Sequence, residues 1–329
     1  MKVLFIGGTG IISSACARLA LERGLDLYML NRGQSPRPIP QGTRVLSGDI
    51  RDPQSTRAAL ADHRFDAVVN WVTYTPQQVE TDLDLFRGRT GQYVFISSAS
   101  AYQTPPAALP VTEATLLDNP FWQYSREKIA CEERLVRAFR EDRFPMTIVR
   151  PSHTYDSTML PFEGGWTVVD RMLRGKPVIV HGDGTSLWTL THNTDFAKGF
   201  VPLLGNPRAL GNAFQITSDE WLTWNEIFQA VGRAAGVEPH LLHVPSDLIA
   251  AFDPNWGAGL LGDKAHSMIF DNSRIKRLAP DYRAVVPFAR GAQEIVDWYN
   301  ADPSRRVVDP AFDQLCDRIA DAMLGAYPR

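Results

Sequence analysis

Tyr124 and Lys128 stand four residues apart in the run Tyr124-Ser125-Arg126-Glu127-Lys128. On a helix that interval is close to one turn, so both side chains project from one face. A tyrosine exchanges protons near neutrality only when its pKa falls well below its ordinary value of about 10. An ammonium roughly 4 to 5 Å away, at an effective dielectric of about 20, supplies roughly 3 to 4 kcal/mol toward that fall before desolvation subtracts from it. The pair therefore predicts an acidified phenol, with Tyr124 as general acid/base and Lys128 as its electrostatic partner. Ser98, upstream in Ser97-Ser98-Ala99-Ser100, is a candidate hydroxyl donor to a substrate oxygen. Alone, Tyr-x-x-x-Lys is a common pattern of helix surfaces, and it gains meaning only beside a redox cofactor.

Such a cofactor is predicted by the N-terminus. Gly7-Gly8-Thr9-Gly10-Ile11-Ile12-Ser13 follows an apolar run, and a helical pattern begins at its end. Glycines allow positive φ and close approach of a pyrophosphate, and a helix N-terminus favours its charge. Placement between a strand and a helix in an alternating α/β chain points to NAD(P), held by Gly7, Gly8, Thr9, Gly10, Ile11 and Ile12. Ser13 replaces the third glycine of the usual pattern, at a small cost in packing. After the second strand the chain reads Leu30-Asn31-Arg32-Gly33, with no acid to hold the adenosine ribose. An arginine there can bond a 2′-phosphate, so Asn31 and Arg32 favour NADP over NAD. In Gly48-Asp49-Ile50, Asp49 is placed to receive the adenine amino group and Ile50 to pack on the ring.

The elements that must position these groups alternate. Strands are expected over 2–6, 26–30, 44–46, 67–70, 93–97 and 146–149, with a first helix over 13–23 stopped by Gly24 and a long helix over 121–140. In the long helix Ile129, Leu135, Val136 and Phe139 are predicted core contacts, and Glu132, Glu133 and Arg137 solvated ones. This is an α/β chain with a Rossmann-like doubly wound parallel sheet and a smaller α+β substrate lobe. The NAD(P)-binding domain is expected over 1–151 and the substrate lobe mainly over 152–329, with segments around 186–215 returning to the first domain. The cleft between them is the expected site. Thr223-x-x-Glu226 and Asp309-Pro310 are helix starts. The stretch from Trp256 to Gly262 reads as an exposed turn, with a glycine-hinged cover over the cleft as the alternative.

Composition removes other classes. The chain has 329 residues, 44% hydrophobic and 22% charged, with 24 glycines and 23 prolines, which fits a folded globular protein rather than a fibrous or disordered one. A net charge of -3 offers no positive field for nucleic acid or an anionic membrane. Four apolar residues before Gly7 are too few for a signal-peptide core, so a soluble cytoplasmic protein acting on a small molecule is expected. Cys16, Cys131 and Cys316 are far apart in helical patterns and read as buried thiols. His240 and His243 lack a nearby third ligand, and there is no Gly-x-Ser-x-Gly elbow, so neither a metal site nor acyl transfer is expected.

In combination, the glycine loop, Gly48-Asp49-Ile50, Val94 to Tyr102, Tyr124/Lys128, Arg150-Pro151-Ser152-His153-Thr154-Tyr155, and Gly182-Asp183-Gly184 through His192 and Asp195 resemble the extended short-chain dehydrogenase/reductase family of NAD-dependent epimerase/dehydratase type. The resemblance implies Lys128 on the nicotinamide ribose, Pro151 and His153 at the cofactor, and a homodimer built around mid-fold helices. Substrate would meet Ser98, Tyr124, His153 and Trp188. Two departures narrow the chemistry. Ala99 and Ser100 stand where dehydratases of the dTDP-glucose type carry an Asp-Glu pair, which disfavours water loss. Trp188 stands where epimerases place a diphosphate-gripping arginine, and His153 where Asn is common. A sugar nucleotide is therefore disfavoured, and Trp188 either stacks on a ring or fills core. The resulting expectation is hydride transfer at a carbinol carbon of a sugar-like or polyhydroxylated molecule. The alternative is a non-catalytic binding protein related to the chloroplast stem-loop RNA-binding proteins.

Overall fold

Short runs of branched and aromatic residues separated by amphipathic stretches form a layered α/β structure, here a computed structural model describing residues 1–61 and 63–326. β1 (Lys2–Ile6), α1 (Ile11–Glu22), β2 (Asp26–Asn31), β3 (Arg44–Ser47), α2 (Pro53–Leu60), β4 (Ala67–Asn70), α3 (Pro76–Phe86), β5 (Tyr93–Ile96), α4 (Gln123–Asp142) and β6 (Met146–Pro151) alternate along the first half. β7 (His153–Tyr155), α5 (Trp166–Leu173), β8 (Val178–His181), β9 (Leu187–Trp188), β10 (Leu190–His192), α6 (Asn193–Phe200), β11 (Ala213–Ile216), β12 (Leu222–Thr223), α7 (Trp224–Ala234), β13 (Leu241–Val244), α8 (Ser246–Phe252) and α9 (Pro254–Gly259) follow. A π-helical turn, Leu260–Lys264, then leads to α10 (Ser273–Leu278), α11 (Phe288–Asn300) and α12 (Pro310–Gly325).

Seven strands make one parallel sheet in the order β11-β6-β5-β4-β1-β2-β3. Both faces are covered, which is why β1 and β4 are apolar almost without alternation. On one face Val3, Phe5 and Val69 pack with Cys16 of α1 and Phe196 and Phe200 of α6. On the other, Leu4, Val68 and Phe95 pack with Leu83 of α3 and Leu135 of α4. Chain direction across the sheet reverses between β1 and β4, and the crevice beyond their C-terminal ends is where such sheets bind ligands. The second lobe has its own core, in which Trp166, Val180, Trp224, Ile227, Phe288, Ile295 and Ile319 meet. Its paired strands are β8 with β13, β9 with β12, and β7 with β10.

Three expectations change. The first helix begins at Ile11 rather than 13, because Gly10 is its N-cap and donates its N–H to Ser13 Oγ at 2.8 Å. Glu132 is buried, not solvated: α4 lies over β6, and Arg150 meets it with Nε 2.9 Å from Oε1. The Trp256 to Gly262 stretch is helical rather than an exposed turn, with Gly257, Leu260 and Gly262 buried and the rest half-buried. Its glycines allow close approach, since a Cβ on Gly257 would lie 2.2 Å from Ala250 Cβ and one on Gly262 2.7 Å from Trp122 Cβ. The three cysteines are buried and free.

Candidate functional site

The first strand delivers the chain into Gly7 at φ +88° and Gly8 at φ +101°, conformations that residues with a Cβ rarely adopt. A Cβ on Gly8 would sit 2.6 Å from Met29 Cε. The loop thus presents bare backbone and the N-terminus of α1 to a groove lined by Gly7, Gly8, Thr9, Gly10, Ile11 and Ile12. This fits a dinucleotide pyrophosphate. Asn193 of α6 braces it from behind, donating from Nδ2 to Ile11 O at 3.0 Å. The groove runs on into a second compartment lined by Asn31, Arg32, Asp49 and Ile50.

Asp49 is more engaged than its sequence position implies. Arg51 donates to it from Nε at 3.1 Å and Nη2 at 2.9 Å, and Arg32 Nη1 lies 3.8 Å away. Hydrogen bonds from Arg51, then the charges of Arg51 and Arg32, lower its pKa to about 2. Arg37 lines the same compartment, tied to Asp156 Oδ2 at 2.6 Å. Sequence reasoning missed Arg37 and Arg51. The Arg37 loop carries no periodicity, and only its cationic neighbours in space give it meaning.

Lys128, inside α4, is buried and donates from Nζ to Thr73 O at 2.7 Å and Ile96 O at 2.8 Å. Burial lowers its pKa to about 8. Its Nζ lies 5.7 Å from the centre of the Tyr124 ring. The expected acidification of the phenol does not appear: burial pushes Tyr124 up to about 12, against a downward pull from the Ser98 hydroxyl, with Tyr74 and Asp263 adding to the rise. Burial outweighs the Ser98 hydroxyl, and the Lys128 ammonium is directed to the carbonyls of Thr73 and Ile96 rather than to the phenol.

Ser98 follows β5 and caps the short turn Ala99–Ala101. Its Oγ accepts from Ser100 N at 3.1 Å and lies 2.9 Å from Ser100 Oγ, which in turn accepts from Ser125 Oγ at 2.8 Å. With Ser125 donating to Ser100, the Ser100 proton can pass to Ser98, and the Ser98 proton is then available to Tyr124 and the cavity. Asn119 fastens this corner, donating to Ser100 O at 2.8 Å and Gly262 O at 2.6 Å and accepting from Trp122 N at 3.1 Å. Ser100 and Ser125 lie inside motifs the sequence shows, but sequence reasoning gives no positioning role to them or to Asn119.

Across from Ser98 and Tyr124 a cavity of about 430 Å³ is lined by His153, Trp188, Asp263 and Lys264 among others. Ile11, Ser98, Tyr124, Pro151, Ser152 and Thr154 line both this cavity and the loop groove, so the two spaces meet at the phenol. His153 faces the substrate cavity. Trp188 both fills core and lines that cavity: it is 4% exposed, and its Nε1 donates to His153 Nδ1 at 3.3 Å. Burial, with the Lys264 charge second, lowers the His153 pKa to about 3, so the ring is neutral near pH 7. Asp263 and Lys264 belong to the π-helical turn and were not anticipated. His243 pairs with Asn225 Oδ1 at 2.8 Å.

The comparisons agree with this geometry. A model of the NAD dependent epimerase/dehydratase family matches residues 3–217. The 2'-dehydrokanamycin reductase of Streptomyces kanamyceticus is 26% identical over 295 residues, 86% of this chain and 80% of that protein. The chloroplast stem-loop binding protein of 41 kDa b of Arabidopsis thaliana is 26% identical over 256 residues, 74% of this chain and 65% of that one. The fold is shared with the Thermus thermophilus UDP-glucose 4-epimerase, solved in complex with NAD, at a TM-score of 0.70 and 20% identity over 91% of this chain and 99% of that one. Among the described residues no helix is long and apolar enough to cross a membrane. With a parallel seven-stranded sheet, a glycine loop at its switch point and a matching family model, the chain belongs to the NAD dependent epimerase/dehydratase family.

Proposed function

We propose that this chain is an NAD(P)-dependent oxidoreductase that works at a carbinol carbon of a polyhydroxylated small molecule, with Tyr124 as acid/base and NADP as the preferred dinucleotide. One observation carries this reading: Tyr124 and Ser98 line both the loop groove and the substrate cavity, and Lys128 lines the groove beside them. When bound, the dinucleotide supplies hydride to the carbonyl carbon or takes it from the alcohol. Its pyrophosphate would lie on Gly7 to Ile12, and its nicotinamide ribose would meet Lys128, whose ammonium is held in place by two carbonyls. Pro151 borders both spaces, and His153 stands behind it on the substrate side.

Ser98 donates to the substrate oxygen and fixes it near the phenol. A phenol pushed up to about 12 holds its proton near neutrality, so Tyr124 acts as general acid and protonates the oxygen that becomes the alcohol. A relative named as a reductase supports the reductive direction. Trp188 in place of a cationic side chain, and a Lys264 already facing Asp263 at 3.5 Å, leave the cavity poorly furnished for a diphosphate. Arg32, Arg37 and Arg51 line the far compartment and are the cations within reach of a 2′-phosphate, which would compete with Asp49 and Asp156 for them. Homodimerisation and a cytoplasmic location belong to the same reading.

Tyr124→Phe should keep dinucleotide affinity, measured by protein fluorescence, and lose about 100-fold or more of its turnover, measured by nicotinamide absorbance. Unchanged turnover sinks the assignment. In the same assay Arg32→Ala should lower NADPH affinity more than NADH affinity.

A further inference from the structure

The π-helical turn Leu260–Lys264 carries a carboxylate that the chemistry above does not use. Asp263 lines the substrate cavity together with Ser98, Tyr124 and His153. Its side chain is 15% exposed, and its only polar partner among the described residues is the Lys264 ammonium at 3.5 Å, beyond ordinary hydrogen-bonding distance. A desolvated carboxylate ordinarily accepts several hydrogen bonds, and one left without them favours any donor brought to it.

Its position is built rather than incidental. Gly262 lies so close to α4 that a Cβ would fall 2.7 Å from Trp122 Cβ and 3.1 Å from Asn119 Oδ1. Asn119 Nδ2 donates to the Gly262 carbonyl at 2.6 Å and to Ser100 O at 2.8 Å. One buried amide thus joins the turn bearing Asp263 to the serine corner bearing Ser98. Single π-helical turns are frequent at functional sites.

The neighbouring groups define what donor fits. Trp188 Nε1 can only donate, so His153 Nδ1 accepts from it, and the neutral ring carries its proton on Nε2. A proton donor on His153, a proton donor on Ser98 and an acceptor on Asp263 therefore surround one space. Lys264 opposes a second cation beside Asp263, and Asp263 opposes an anion there. A hydroxyl meets neither objection.

We propose that Asp263 is a specificity-determining residue: it accepts a hydrogen bond from a neutral hydroxyl on the carbon flanking the one that exchanges hydride, so the site selects vicinal diols and the matching hydroxyketones. This rests on the reading of Tyr124 as the acid/base. The full-length protein is tested with NAD+ and NADP+ on cyclohexanol, trans-1,2-cyclohexanediol and trans-2-aminocyclohexanol, each followed as kcat/KM. The diol should exceed cyclohexanol by about 10- to 100-fold, the range expected of a hydrogen bond to a charged group. Asp263→Ala should bring that ratio close to one, mainly through KM for the diol. The isosteric Asp263→Asn, which retains shape, should also lower it. The proposal is overturned by a wild-type ratio near one, by an unchanged ratio in both variants, by preference for the amino alcohol, or by turnover of none of the three. If wild type oxidises cyclohexanol and Tyr124→Phe does not, the assignment of Tyr124 stands even where the diol preference fails.

Discussion

At the scale of single residues, hydroxyl direction decides what Ser98 can do. Ser125 is fully buried and donates to Ser100, and Ser98 accepts from the Ser100 amide, so the Ser98 proton has no competing acceptor in this chain of serines. Removing the first donor frees Ser100 to turn away. Ser125→Ala should therefore lower kcat by roughly 5- to 20-fold, the worth of about one hydrogen bond, with dinucleotide affinity unchanged. A loss in Tm with unchanged kcat would make Ser125 structural only. Tyr124 and Lys128 are legible in sequence because a helical turn brings residues four apart to one face. Their electrostatics are not, since the direction of a long side chain depends on the carbonyls of Thr73 and Ile96, far away in the sequence. Asp263 is invisible for a different reason: no local period links residue 263 to residue 98, and only a packed turn does.

At the scale of elements, close approach without side chains is the recurrent device. Gly262→Ala would force the π-helical turn and the start of α4 apart, because the nearest atom is Trp122 Cβ at 2.7 Å, which belongs to no flexible side-chain end. Overpacking of this kind costs about 1–3 kcal/mol. The variant should melt several degrees lower, as thermal unfolding would register, and lose turnover out of proportion to that shift because Asp263 and the serine corner move with it. Wild-type kcat in the variant would argue that the turn does not position the site. The six N-terminal strands, α1 and α4 are visible in the sequence to within a few residues, since a buried parallel strand and an amphipathic helix each write a short-range period. The burial of Glu132 escaped that logic. Helix periodicity marks a position as facing inward, but only the Arg150 partner on β6 makes a carboxylate tolerable there.

For the molecule as a whole, burial lowers four histidines, His153, His181, His192 and His266, and takes His153 to about 3 and His181 to about 4. In the unfolded chain the same rings take up protons below about 6.5. Between these limits the unfolded state binds more protons, so their stabilising contribution is complete above about pH 6.5 and falls as pH drops, by roughly 1.4 kcal/mol per pH unit for each ring. Tm should hold near pH 7 and fall between pH 6 and 4, and His153→Asn should make that fall shallower. Equal slopes in the two proteins would remove His153 from the cause.

The seventh strand, β11, reaches the sheet only after the chain has travelled through the second lobe, and it lies along β6. Near it Gln92, buried just before β5, donates to Leu203 O at 3.0 Å and accepts from Gly205 N at 2.7 Å. A fragment ending at Pro151 would consequently display β6 as a raw margin of unanswered amides and carbonyls, with Gln92 stranded beneath it. Such a fragment is a template for self-association rather than a working nucleotide carrier, so the expected boundary at residue 151 is no place to divide the gene.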